Sequence, residues 1–440
     1  MTGGGVMITG AATVGERARR RVTRRVMPYL FLLYVVAYLD RVNVGYATLE
    51  MTSDLGFSPE VYGFGAGVFF VGYFLLEIPG TILVERWSAR RWIARIMVSW
   101  GVLAALTGFV GTATQFYWAR FLLGVAEAGF FPGMVVYLGH WFRSEDRARA
   151  FALFVAAQPI ANIVGSPVSG LLLGVHWLGL AGWRWLFILE GLPAVVLGVV
   201  TLFYLTDRPQ QAAWLPKDER DWLVSQLERE RLAKQGAHTQ RVLDALRHPH
   251  VLLLTFTYFL IVTSVYGVNF WLPTIIKKLS GSSNLVVTSV SALPYCVGLV
   301  AVLLFGWSSD RTKERRRHTA VAMAVAGVGL LLVAAARENT ALAVAMFGVA
   351  AVGLYGYQPG FWSLPTSFLT GTAAAAAVGL INSTGNLGGF VGPFVVGYLG
   401  RKTGSLFAGV LYLSLSALAA AALVLCLRVC ASGAIEKRPV

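Results

Sequence analysis

Apolar runs long enough to cross a lipid bilayer recur along the whole chain and constrain its fold more than any other feature. A transmembrane helix needs about 20 mainly apolar residues, at a rise of about 1.5 Å each. Apolar residues fill 56% of the 440 positions and charged residues only 13%, a balance that soluble globular proteins do not show. The sequence therefore predicts an all-α membrane protein with many transmembrane helices.

Helix start and stop signals divide the apolar runs into twelve predicted spans. The first six are 27–48, 60–84, 92–111, 114–139, 148–174 and 183–206, and the last six are 249–277, 285–307, 319–336, 341–369, 374–399 and 404–428. The predicted organisation is an N-terminal tail (1–26), an N-terminal six-helix bundle (27–206), a linker (207–248), a C-terminal six-helix bundle (249–428) and a C-terminal tail (429–440). Within the linker, residues 216–227 have the pattern of an amphipathic helix at the membrane surface.

Most of the basic residues lie in alternate loops, which makes the net charge of +15 a signal of topology. They cluster at 17–25, 86–95, 143–149, 208–247 and 311–317, whereas the intervening loops hold few of them. By the positive-inside rule, the basic loops and both termini are cytoplasmic, and the chain is expected in the plasma (cytoplasmic) membrane. We therefore expect membrane lipid around the protein and no nucleic-acid partner.

Neither metal nor cofactor chemistry is predicted. Cys296, Cys426 and Cys430 lie in apolar runs without a C-x-x-C pair, and none of the six histidines lies in the middle of a predicted span. If the protein carries a proton, carboxyl groups must carry it. Because the sequence shows no nucleophile with a base and no metal set, we do not expect an enzyme.

The two halves of the chain repeat each other. Glu85-Arg86 corresponds to Asp310-Arg311 at a separation of 225 residues, Val42-Asn43 to Val268-Asn269 and Pro167 to Pro393 at 226, and Pro132-Gly133 to Pro359-Gly360 at 227. Four matches at nearly one separation indicate two six-helix bundles that repeat one another. Transporters built in this way hold their substrate at the midplane between the halves.

Four charged residues lie inside predicted spans of the N-terminal half, where an ionisable side chain is costly and marks a functional site by default. They are Asp40, Arg41, Arg120 and Glu127. Arg120 and Glu127 are seven residues apart and share one face of a helix. A carboxyl group that shares an arginine with an anionic substrate can couple protonation to binding. The alternative is a salt-bridge network that only joins helices. Two further acids, Glu77 and Glu190, lie close to Pro or Gly and are interpreted as structural.

The C-terminal half lacks these charges. At the repeat separation of 226, Tyr266 and Gly267 stand where the N-terminal half has Asp40 and Arg41. In their place it offers neutral polar and aromatic side chains: Asn269, Gln358, Ser363, Thr366, Asn382, Asn386, Tyr266, Trp271, Tyr355 and Trp362. The N-terminal half is thus suited to binding a charged group, and the C-terminal half to recognising the polar groups and shape of a ligand.

Several segments resemble those of a known family. The loops Glu85-Arg86…Arg90-Arg91 and Asp310-Arg311…Arg315-Arg316-Arg317 resemble the paired signature of the major facilitator superfamily, although Ser88 stands where that signature usually has Gly. The segments LDRVNVG (39–45), ARF (119–121), EAGFFPG (127–133) and FWLP (270–273) resemble its anion:cation symporter family. That family includes bacterial permeases for tartrate, aldonates, phthalate and 4-hydroxyphenylacetate.

The resemblance implies a twelve-helix major facilitator fold and proton-driven uptake of an organic carboxylate. It makes Asp40 and Glu127 the protonatable pair, couples Arg120 to Glu127 and assigns the substrate carboxylate to Arg41. The positions that match its substrate site are Tyr73, Gln158 and Asn386, to which we add Asn269, Trp362 and Asn382 from the polar set of the C-terminal half. The signature residues Glu85, Arg86, Asp310 and Arg311 are expected in gating or structural loops.

The function expected from the sequence is proton-coupled symport of an organic carboxylate anion by alternating access, with a hydroxy acid such as tartrate or an aldonate as the substrate. One alternative is a permease for an aromatic acid such as 4-hydroxyphenylacetate or phthalate. Others are an anion exchanger, a uniporter and, with less support, a membrane sensor. We expect the chain to act as a monomer whose partners are protons and a small organic anion.

Overall fold

The computed structural model of the chain describes residues 13–235, 246–336, 338–369 and 371–427, and all regular secondary structure in them is helical. The helices of the N-terminal half are α1 (Val14–Asp54), α2 (Pro59–Arg86), α3 (Ala89–Thr107), α4 (Ala113–Glu127), α5 (Phe130–Trp141), α6 (Ser144–Val155), α7 (Ala157–Leu173) and α8 (Gly182–Tyr204). The linker contains α9 (Lys217–Gln235). The C-terminal half consists of α10 (Pro249–Ser280), α11 (Asn284–Thr312), α12 (Arg315–Ala335), α13 (Thr340–Ser363), α14 (Gly371–Asn386), α15 (Gly388–Thr403) and α16 (Leu406–Leu425).

Ten helices or helix pairs in the described residues are long and apolar enough to cross a bilayer. The arginine-rich α3 and the pair α14 and α15 complete the twelve predicted spans. Large apolar side chains such as Phe203 and Leu303 are exposed on these helices, which is costly in water and suits contact with lipid. The prediction of an all-α, twelve-span membrane protein is confirmed.

Three of the twelve spans each consist of two helices with a break between them. One of these breaks determines where a candidate functional residue lies. Gly129, between α4 and α5, has a φ of 84°, a left-handed conformation that favours glycine. The helix α4 therefore ends at Glu127, and the chain changes direction directly after it. The corresponding helix of the C-terminal half, α13, runs unbroken from Thr340 to Ser363.

The first helix begins well before its predicted start at residue 27. Thr13 and Glu16 form a capping box at its N-terminus: the Glu16 N–H donates to the Thr13 hydroxyl at 3.2 Å, and the Thr13 N–H donates to the Glu16 carboxylate at 2.9 Å. The arginine-rich segment that precedes the first span is therefore a continuation of α1. We call the end of the molecule at which α1 begins the basic side.

The linker helix α9 lies on the basic side against α1. Arg17 donates to Asp218 at 3.1 Å, and Arg21 donates to Glu219 at 2.9 Å. A Cβ atom at Gly15 would lie 2.5 Å from the Trp222 ring, so this ring packs directly on the α1 backbone. The helix that the sequence predicts at the membrane surface thus has contacts with the protein's own N-terminal half.

The two halves contact each other closely on the side opposite to the basic side. The contacts join α2 to α15, α7 to α11 and α1 to α10. Glycines permit the close approach: a Cβ atom at Gly63 would lie 2.5 Å from the Pro393 carbonyl oxygen, and one at Gly170 would overlap Thr288. The helices therefore meet backbone to backbone at Gly63, and the Thr288 side chain packs directly on the backbone at Gly170.

Polar links join the halves on the same side. Glu60, at the start of α2, pairs with Arg401, at the end of α15, at 2.6 Å. The amide of Asn284, at the start of α11, donates to Glu50, near the end of α1, at 2.8 Å. This side is closed, and the main cavity between the halves lies on the basic side of these contacts.

Replacing Gly63 by Leu will separate the halves on the closed side, because the new side chain meets the α15 backbone rather than a movable side chain. The distance between spin labels on Glu60→Cys and Arg401→Cys, with the native cysteines replaced by serine, should lengthen. Gly139→Leu is the matched control, since a Cβ atom there meets nothing within 4 Å. An unchanged distance in Gly63→Leu would contradict this packing.

Candidate functional site

A cavity between the two halves brings together most of the predicted substrate-binding residues. Its lining consists of Tyr34, Tyr38, Arg41, Tyr73, Phe131, Phe151, Val155, Gln158, Tyr258, Val262, Val265, Tyr266, Tyr355, Tyr357, Gln358, Trp362, Asn382 and Asn386. Six of the seven predicted residues are among them. The seventh, Asn269, is buried just behind the lining, where its amide donates to the Tyr38 hydroxyl and accepts from the Tyr355 hydroxyl, both at 3.4 Å.

Arg41 is the one formally charged residue among the lining residues that the structure describes. Its guanidinium forms an ion pair with Glu127 of α4 and donates to the Tyr266 hydroxyl of α10 at 3.2 Å. It also lies over the Tyr73 ring, 5.3 Å from the ring centroid. Because Glu127 belongs to the N-terminal half and Tyr266 to the C-terminal half, Arg41 connects the two halves at the cavity.

Glu127 takes its hydrogen bond from Arg41, whereas the resemblance couples it to Arg120. The Arg120 side chain is fully buried, and within the described residues none of its three nitrogens has a hydrogen-bond partner. Its guanidinium lies 5.1 Å from the centroid of the Phe69 ring and acts on Glu127 electrostatically. A buried cation with no hydrogen-bond partner in the described part of the chain therefore lies near the Arg41–Glu127 pair.

Asp40 does not line the cavity, although it adjoins Arg41 in sequence. Successive residues of an α-helix point about 100° apart, so Asp40 and Arg41 lie on different faces of α1. The Asp40 carboxylate accepts from the Trp100 indole at 2.6 Å and from the Asn43 amide at 3.4 Å. Asp40 thus lies inside the N-terminal half.

Neutral side chains extend across the cavity from one half to the other. The Gln158 amide donates to the Tyr34 hydroxyl at 2.6 Å, and the Gln358 amide donates to Gln158 at 3.3 Å. The Asn162 amide donates to the Tyr355 hydroxyl at 3.4 Å. These amides and hydroxyls form a surface that can hydrogen-bond both donors and acceptors of a polar ligand.

Glu77, interpreted from the sequence as structural, lies at the junction of the halves. It is buried, and its carboxylate accepts from the Asn382 amide of α14 at 2.5 Å. One amide hydrogen of a predicted substrate-binding residue is therefore bound to a carboxylate of the N-terminal half.

The four predicted loop residues lie at the basic side. Asp310 pairs with Arg315 at 2.6 Å, and the Arg311 guanidinium lies 5.5 Å from the centroid of the Trp307 ring. Glu85 and Arg86 end α2, but their side chains lie outside the described part of the chain. Ser88, the departure from the family signature, is the N-cap of α3, and its hydroxyl donates to Asp207 at 2.8 Å.

Four lining tyrosines were missed by reasoning from the sequence: Tyr34, Tyr38, Tyr258 and Tyr357. For Tyr34 a signal is present, because Tyr34, Tyr38 and Arg41 follow the i, i+4, i+7 spacing of one helix face. Tyr258 and Tyr357 lie on helices whose faces are buried almost all round, so spacing does not separate the cavity from the protein core.

Comparison with known proteins identifies the family. The sequence profile described as Major Facilitator Superfamily matches residues 30–393. The chain belongs to the Major Facilitator Superfamily. A solved structure has the same fold: a bacterial homologue of the human lysosomal transporter Spinster in its inward-facing, unoccupied conformation. The two structures match with a TM-score of 0.71 over 93% of this chain and 95% of that one, at 16% sequence identity.

Relatives of this superfamily member are named as transporters. A protein of Agrobacterium vitis named "Putative tartrate transporter" is 48% identical over 90% of this chain and 91% of its own length. A protein of Acinetobacter baumannii named "Quinolone resistance transporter" is 40% identical over 90% of this chain and 91% of its own length. The chain is thus a multi-pass membrane protein of a transporter family, as its sequence predicts.

Removal of Glu127 alone will destabilise the protein, because it leaves Arg41 buried and without its counter-ion. Loss of one member of a buried ion pair costs on the order of 3 kcal/mol. Thermal unfolding in detergent should therefore show Glu127→Ala well below the parent, with Arg41→Met/Glu127→Leu recovering most of the loss. Equal stability of Glu127→Ala and the double variant would show that the pair is not effectively buried.

Proposed function

We propose that the chain is a secondary active transporter that takes up an organic carboxylate anion together with protons, by alternating access. The observation that carries this function is the Arg41–Glu127 pair. It places the one formally charged lining residue of the described cavity against a carboxyl group that can be protonated.

A substrate carboxylate competes with Glu127 for the Arg41 guanidinium. When the substrate occupies Arg41, Glu127 loses its counter-ion and binds a proton more readily, and by linkage a protonated Glu127 leaves Arg41 free for the substrate. Arg120, buried close by and without a hydrogen-bond partner among the described residues, acts on Glu127 electrostatically and does not supply the direct ion pair that Arg41 gives up. Protonation on the outer side then accompanies binding, and deprotonation on the inner side accompanies release.

The polar lining favours a hydroxy acid such as tartrate or an aldonate. Amides and tyrosine side chains from both halves line the cavity together with Arg41, which suits a ligand with a carboxylate and several hydroxyl groups. The name of the Agrobacterium relative agrees with this class. The rings of Tyr258 and Trp362, in edge contact at 4.9 Å, favour an aromatic acid as the second candidate, in keeping with the quinolone in the other relative's name.

In this account the basic side faces the cytoplasm, as the positive-inside rule requires, and the protein lies in the plasma membrane as a monomer. The two six-helix halves are the moving domains, and α9 fixes the linker to the N-terminal half. The closed outer side and the cavity on the basic side then correspond to an inward-facing state. The Asp310 and Glu85 loops adjust as the halves rock.

Uptake by proteoliposomes tests this function directly. A panel of labelled tartrate, an aldonate and 4-hydroxyphenylacetate is offered with and without an inward proton gradient. We expect one acid to accumulate only with the gradient. Arg41→Ala should abolish that uptake, and Glu127→Gln should leave exchange but remove the response to the gradient, because it mimics a permanently protonated carboxyl group.

The matched control for Arg41→Ala is Arg231→Ala, which removes an exposed arginine of α9. It should behave as the parent. Gradient-independent uptake would indicate exchange or uniport, and loss of uptake in both arginine variants would show that the Arg41 effect is not specific to the cavity.

A further inference from the structure

A second group of buried polar side chains lies inside the N-terminal half, away from the cavity lining. It comprises Asp40 and Asn43 of α1, Trp100 of α3, Ser169 of α7 and Glu190 of α8. Asp40 is 1% exposed and Glu190 is 7% exposed. Two carboxyl groups are therefore buried in one cluster, and the Arg41–Glu127 exchange does not use Glu190.

Hydrogen bonds account for part of this cluster. Asp40 is satisfied on both oxygens, by the Trp100 indole at 2.6 Å and the Asn43 amide at 3.4 Å. Glu190 accepts from the Ser169 hydroxyl at 2.8 Å on one oxygen, and the Asn43 amide stabilises its ionised form as a donor. Asn43 is thus placed between the two carboxyl groups.

Two acceptors remain without a partner in the described structure: the Asn43 carbonyl oxygen and the second Glu190 oxygen. Two acceptor oxygens cannot hydrogen-bond to each other. A proton on Glu190 would make this oxygen a hydrogen-bond donor, and an asparagine oxygen can accept such a bond. The Asn43 amide has two N–H donors and one oxygen acceptor. It can therefore donate to an ionised carboxyl group and also accept from a protonated one.

The surrounding charges also favour a single proton. Within the described residues neither Asp40 nor Glu190 has an ion pair; Arg120 and Glu127 act on Asp40 only electrostatically. Tyr46, the other titratable group that senses Glu190, is hydrogen-bonded to Ser166. Glu190 also acts on Asp40 electrostatically, so two ionised carboxylates buried in this cluster would repel each other.

We propose that Asp40, Asn43 and Glu190 form a proton site that holds one proton between its two carboxyl groups. Loading changes the charge of the pair from −2 to −1 by forming one O–H bond, and unloading returns that proton to water. Glu190 is thereby a proton-coupling residue rather than a structural one. Its part in transport rests on the proposed function, whereas the shared proton itself does not.

Glu190→Gln tests the site with almost no change in shape. The new amide can donate to the Asn43 oxygen, so Asp40 stays ionised between Trp100 and Asn43. Infrared spectra at neutral pH should lose one absorption in the carbonyl-stretch region of protonated carboxylic acids. In proteoliposomes, removal of the neighbouring carboxyl group should move the pH dependence of gradient-driven uptake by about one unit towards acid.

Asp54→Asn is the matched control, because Asp54 also accepts from an indole, that of Trp183 at 2.9 Å, but lies beside Arg184 and is partly exposed. It should leave the infrared absorption in place. Loss of the absorption in Glu190→Gln alone supports the site; an unchanged spectrum and uptake profile overturns it. If the parent does not respond to a proton gradient, the proposed function fails while the infrared comparison still decides the shared proton.

Discussion

The burial of one arginine in a membrane-spanning helix is the constraint on which this structure depends. A charge at that depth is tolerated only where it faces a protein interior or a cavity and finds a partner. Arg41 forms an ion pair with Glu127 of its own half and donates to Tyr266 of the other half. The break at Gly129 ends α4 at Glu127. The Arg41–Glu127 pair thus holds the charged residue of the cavity lining, and Arg41 also contacts the other half.

Contacts between the two halves would have to change when the Arg41–Glu127 pair opens. Glycines at the closed side let the helices meet backbone to backbone, which gives a contact that is either made or broken rather than gradually deformed. Glu77 and Asn382 form a further hydrogen bond between the halves close to the cavity. In the proposed mechanism, these contacts between the halves are the ones that change when the charge around Arg41 changes.

Local features of the sequence predicted the twelve spans, the repeat of the two halves and the charged residues of the N-terminal half, because each follows from the energetic cost of placing polar groups in lipid. The partners of those charges depend on contacts between helices far apart in the chain. The family resemblance couples Arg120 to Glu127, but α1 brings Arg41 into the ion pair with Glu127. Glu190 lies beside a glycine in the sequence, and only the packing of α8 on α1 brings it to Asn43.

The central claim is that substrate binding at Arg41 and protonation of Glu127 favour each other, because the substrate carboxylate replaces Glu127 as the partner of Arg41. Calorimetric titration of the purified protein with its substrate, repeated in buffers of different ionisation enthalpy, measures the protons taken up as the complex forms. We predict uptake of a proton on binding near neutral pH and a clear reduction of that uptake in Glu127→Gln. Binding that exchanges no proton in any buffer, or an uptake unchanged in Glu127→Gln, would contradict the account.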